Sequence, residues 1–91
     1  MMFLHVGFAF KNPPRVDELE PIFNKARDWI RYDTHCWIVW TSSSPQRWLA
    51  RLQPILSPTD GVLIVRIDLS TRAGQLPKSM WTWIKEHQEP Q

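Results

Sequence analysis

A small α+β domain built on one antiparallel sheet is the fold class this sequence predicts, and three observations carry it. Phe3–Phe10 and Val62–Leu69 alternate with the period of a strand, and Trp29–Thr41 reads as two strands around a turn near Asp33 and Thr34. Two stretches between these strands place apolar residues at helical spacing. The resulting order is strand, helix, strand, strand, helix, strand, with a short helix appended after Gly74 and Pro77.

The first strand puts Leu4, Val6, Phe8 and Phe10 on one face and Phe3, His5, Gly7 and Ala9 on the other. Lys11-Asn12-Pro13-Pro14 ends it, because proline cannot donate to a ladder. Val16, Leu19, Ile22, Phe23 and Ala26 then form a helical stripe, with Asp17 and Glu18 suited to its positive start. Pro21 is tolerable only if that helix begins shortly before it. In the next pair of strands, Cys36, Ile38 and Trp40 face one way, and His35, Trp37, Val39 and Thr41 the other. Both sets are apolar, so this strand is expected to be central and covered on both sides.

Ser44-Pro45 is the strongest local signal, a capping hydroxyl followed by proline at the first helical position. Trp48, Leu49, Leu52, Ile55 and Leu56 continue as an apolar stripe, and Pro54 should tighten its last turn. After a turn through Ser57–Gly61, the fourth strand is expected to face inward with Leu63, Val65, Ile67 and Leu69, leaving Arg66 and Asp68 outside. Met80, Trp81 and Ile84 mark the last helix, over about residues 77–88. This order is the ferredoxin-like βαββαβ plan in a single domain over 1–91, with two helices stacked on one face of a four-stranded sheet.

Composition excludes several function classes. Seven of eleven basic residues are Arg, yet the formal charge of +2 is far below the excess of a dedicated nucleic-acid binder. One cysteine cannot make an intrachain disulfide, and no apolar run approaches the ~20 residues of a membrane span. The first residues lack a basic stretch before the apolar run, so no signal peptide is expected and the cytoplasm is the default.

No catalytic constellation stands out, and neither a cofactor nor a metal is expected. His35 and Cys36 are adjacent on a strand and point to opposite faces, so one ion cannot easily take both. His5 and His35 would make a weak metal pair without a third ligand. Cys36 in an apolar strand reads as an inert thiol. Arg27, Trp29 and Arg31 share a strand face and are the candidate nucleic-acid contact, since basic and aromatic residues interleave there. The plainer reading buries Trp29 and lays the two Arg stems over apolar surface.

Trp29, Tyr32, Trp37-Ile38-Val39, Thr41, Ser44, Arg51-Leu52, Pro54, Leu56, Asp60 and Leu63, with Trp83-Ile84-Lys85 after them, form a pattern that resembles another family. It is that of the small ferredoxin-fold proteins known as SinR-like, grouped with the small subunit of the CRISPR adaptation complex and with VapD-type endoribonucleases. The resemblance implies the fold and a dimer. In the related nucleases an Asp at the end of the first strand binds the catalytic metal, one from each protomer. Here the strand ends Phe8-Ala9-Phe10-Lys11, and no Asp or Glu precedes Asp17, so nuclease chemistry is not carried over.

The expected function is therefore a non-catalytic binding or assembly module that acts as a homodimer. Its alternative is a nucleic-acid binder or endoribonuclease. Two helices cover one sheet face, so Phe3, Ile38, Trp40 and Ile64 are the candidate interface on the other. The competing expectation has the tail, through Met80, Trp81 and Ile84, fold back over that face.

Overall fold

The computed structural model describes residues 1–13 and 15–88. Its elements are β1 (Met2–Ala9), α1 (Val16–Phe23), β2 (Asp28–Asp33), β3 (Cys36–Thr41), α2 (Pro45–Leu52), a 3-10 turn (Gln53–Ile55), β4 (Gly61–Ile67) and α3 (Lys78–Gln88). The strands form one sheet in the order β2-β3-β1-β4, and every neighbouring pair is antiparallel. Each β-α-β unit thus crosses over one intervening strand, so β1 and β3 are central and β2 and β4 are the edges. Pro14, the second proline expected to stop the first strand, lies outside the described residues.

Local chemistry sets the helix ends. Arg15 starts α1 without a side-chain cap, and Asp17 and Glu18 stand in its first turn. Pro21 removes one backbone bond, and the helix stops two residues later. Ser44 caps α2 in extended conformation, its Oγ accepting the Arg47 N–H at 3.2 Å, with Pro45 next. Pro54 tightens the end into the 3-10 turn, as the sequence leads one to expect. Ser44→Ala should therefore lower folding stability by about 1 kcal/mol in denaturant melts, and an unchanged midpoint would contradict the cap's role.

Alternation on β1 and β3 places Leu4, Val6, Phe8, Trp37 and Val39 against α1 and α2, which supply Leu19, Phe23, Trp48 and Leu52. Phe23 lies between two indoles, 4.8 Å from Trp37 and 5.8 Å from Trp48, near parallel to both. Phe8 meets Trp37 edge-on at 5.4 Å. Such offset and edge contacts add to area burial because the ring edge is positive and its face negative. The Trp48 indole donates to Thr41 Oγ1 at 3.2 Å, which seats α2 on the sheet.

The opposite face carries α3. Ile84 is fully buried, Trp83 packs 6.0 Å from Phe3, and His87 meets Trp40 at 5.9 Å. Phe3 and Ile38 are buried inside the chain, and Trp40 is half-buried. The tail lies over this end of the face through Trp83 and His87 beside the buried Ile84, whereas the competing expectation named Met80, Trp81 and Ile84. The molecule is layered helix, sheet, helix.

The facing of β4 is a correction. Val62 and Ile64 pair with Phe8 and Val6 and pack toward the helices, while Leu63 and Val65 are exposed on the α3 side. Ile64 therefore belongs to the helix face, beside Pro45 and Leu49 of α2, and not with Phe3, Ile38 and Trp40. Val-Leu-Ile-Val is apolar in either phase, so only the register with β1 decides which set turns inward. The strand also ends at Ile67, before Asp68 and Leu69.

Candidate functional site

Pairing along the sheet sets Gly7 between Cys36 and Leu63, and His5 between Ile38 and Val65. The α3 contacts lie over Asp28, Trp40 and Phe3; farther along the same face Leu63 and Val65 stay exposed, and His5 and Gly7 are half-buried. His5 Nε2 and the Tyr32 hydroxyl are 2.5 Å apart, and Tyr32 reaches it from β2 across β3. Gly7 makes room for this, because a Cβ there would lie 3.2 Å from His5 Cε1.

Both groups are held neutral. Burial pushes His5 below its ordinary 6.5. Tyr32 is pushed up to about 12, first by burial, then by a hydrogen bond with the Cys36 thiol and the negative charges of Cys36 and Asp33. The consistent arrangement has the phenol donating and the unprotonated Nε2 accepting. Linkage gives the signs. The depressed His5 contributes stability above pH 6.5 that is lost as pH falls below it. The raised Tyr32 contributes stability below pH 10 that is lost as pH rises from 10 toward 12. Tyr32 is the only tyrosine, so tyrosinate absorbance reads it alone. A midpoint near 12 is expected, and one near 10 with the fold intact by circular dichroism would contradict the pairing.

A second polar junction fastens α3. Asp28 Oδ2 accepts from Trp83 Nε1 at 3.0 Å and faces His87 Nε2 at 2.9 Å, while Oδ1 takes the Trp29 N–H. The other His87 nitrogen faces the Trp83 carbonyl at 2.7 Å. Both ring nitrogens thus meet oxygen atoms. Sequence reasoning missed this junction. Its only trace was Trp83 and His87 at i, i+4 spacing, which puts them on one helix face.

The candidate nucleic-acid residues are arranged differently from a stacking platform. Trp29 is half-buried, 6.2 Å from Phe23, and donates to Asn24 Oδ1 at 2.9 Å. Arg31 lies 5.0 Å above the Trp37 ring and donates to the Thr34 carbonyl. Arg27 precedes β2 and is exposed. His5 and His35 are not brought together. His5 pairs with Ile38 in register, and the His35 ring lies against Phe10. Cys36 is half-buried beside Tyr32 instead of closed in the core.

No family model, curated protein or solved structure matches the chain.

Among the described residues no group of three or more His, Cys, Asp or Glu is placed to hold a metal ion. No described helix is long and apolar enough to cross a membrane. A cavity of about 490 Å³ at the end of α3 is lined by Phe3, Trp40, Arg66, Ile67 and His87 among others. It mixes an aromatic floor with charges of both signs, since Asp68 is also on its wall. The exposed stretch of β4 is apolar by contrast. Leu63 is 66% and Val65 41% exposed, side by side on an edge strand.

Proposed function

We propose that the chain is a non-catalytic binding or assembly module of ferredoxin-like fold, working as a homodimer in the cytoplasm. The exposed pair Leu63 and Val65 carries the reading, because an apolar edge strand left open is a standing invitation to aggregate. A second copy closes such an edge without making a filament when the two are related by a two-fold axis. The ferredoxin-like assignment is supported by the β-α-β-β-α-β order, by a sheet in which each crossover skips one strand, and by two helices on one face. Kinship with SinR-like proteins is part of the same proposal.

The non-catalytic part is supported by β1, which ends Phe8-Ala9 with no carboxylate, and by His5, whose Nε2 is engaged by Tyr32. The alternative, nucleic-acid binding or cleavage through Arg27, Trp29 and Arg31, is weakened because Trp29 and Arg31 are engaged within the fold. Light scattering on the full chain tests the reading. A dimer mass is expected at high micromolar concentration. Leu63→Lys should weaken dimerisation at least about tenfold, since a buried unpaired ammonium costs more than ~1.4 kcal/mol. A monomeric unaltered chain would overturn the proposal.

A further inference from the structure

We infer that the two copies meet strand to strand, β4 antiparallel to its twin about a two-fold axis at Ile64, so that two four-stranded sheets become one of eight. This rests on the homodimer reading and goes beyond it by naming the edge and the register.

The sheet has two edges, and they differ. β2 has a register shift between Arg31 and Asp33 and carries Asp28, Arg31 and Asp33 within six residues. Bulges and charges of this kind blunt an edge against pairing. β4 pairs with β1 over all seven residues without a shift, contains no proline and carries one charge, Arg66. Only β4 is built to accept another strand.

The facing of its side chains limits the register. A two-fold axis perpendicular to the sheet keeps both helix layers on one side, so helix-face residues must oppose helix-face residues. Of the registers that satisfy this near the middle of the strand, centring on Ile64 overlaps all of Gly61–Ile67. It sets Leu63 against the partner's Val65 and Val65 against the partner's Leu63. The two exposed pairs then form one continuous aliphatic cluster on the side away from α1 and α2. Centring on Leu63 or Val65 shortens the overlap, and centring on Val65 also sets Arg66 against the partner's Ile64.

Charge agrees with this choice. Near a two-fold axis a charged residue meets its own copy and is repelled. Arg66 stands two residues off the axis, opposite the partner's Val62, and so does not meet its own copy. Asp68 lies past the paired segment, its carboxylate turned back onto the Ser70 N–H at 2.9 Å.

Single-cysteine variants of the full chain test the register in a Cys36→Ala background. Ile64→Cys should form a disulfide-linked dimer on mild oxidation at least about tenfold faster than Leu63→Cys or Val65→Cys, because only position 64 meets itself at disulfide distance. Leu63→Cys combined with Val65→Cys should cross-link faster than either alone, and these exposed positions should not disturb folding. Fastest linkage at Leu63→Cys or Val65→Cys would overturn the register. A dimer by light scattering that links at none of these positions would overturn the strand pairing but leave the homodimer standing. A monomer would remove both.

Discussion

Replacing Trp37 with alanine is expected to lower folding stability by about 3–5 kcal/mol, among the largest single-residue losses in the chain. The indole is fully buried on β3, near parallel to Phe23 and edge-on to Phe8, with the Arg31 guanidinium above it. Alanine would leave a cavity at the centre of the aromatic cluster, and the central strands on either side cannot collapse into it. The loss is large against the roughly 5–10 kcal/mol that holds a domain of this size together. Trp37→Phe should lose far less. Among the described residues Trp37 Nε1 is buried without a hydrogen-bond partner, so phenylalanine removes an unsatisfied donor as well as some packing. Denaturant midpoints measure both variants, and a loss under ~1 kcal/mol for Trp37→Ala would place the ring outside the core.

Ile84→Ala is expected to lower stability by about 2–5 kcal/mol, with a distinctive pattern. Ile84 is the fully buried residue of α3, and that helix is otherwise held by its aromatic contacts and the Asp28 junction. The helix can leave the sheet without unfolding β1 and β3, so the loss is capped by the docking energy of α3. Hydrogen exchange should therefore rise across Lys78–Gln88 while the central strands stay protected. A dye for apolar surface should bind as Phe3, Ile38 and Trp40 are uncovered. Asp28→Ala should give the same pattern more weakly, because it removes two acceptor contacts with the helix and leaves Ile84 in place. Equal loss of protection in sheet and helix would show that α3 unfolds only with the whole domain.

Much of this architecture is legible residue by residue. Period-two alternation in Phe3–Phe10 chose the right inner face because Leu4, Val6 and Phe8 are all apolar and bulky, whereas Phe3 is the one such residue beside His5, Gly7 and Ala9. The Ser44-Pro45 cap and the tightening at Pro54 are local events, decided by a hydroxyl and by missing N–H groups within one turn. Trp37 and Val39 against Ile38 and Trp40 announced a strand covered on both sides. The site was less legible. His5 and Tyr32 are 27 residues apart, and their contact depends on β2 and β1 flanking β3. Asp28 and Trp83 are 55 apart, and nothing in either neighbourhood marks the other.

By itself the sequence determined an α+β domain with antiparallel strands, the Ser44-Pro45 cap and much of the aromatic core, because each is written in a short window by sterics, capping chemistry or amphipathic period. Only the tertiary structure decided which side of β4 turns inward, that Phe3 and Ile38 are buried within the chain, and that Leu63 and Val65 remain exposed. The reason is physical. Where a segment such as Val62–Val65 is apolar on both sides, either phase satisfies the local rules. The choice then passes to the strand that pairs with it and to the helix that reaches the sheet first.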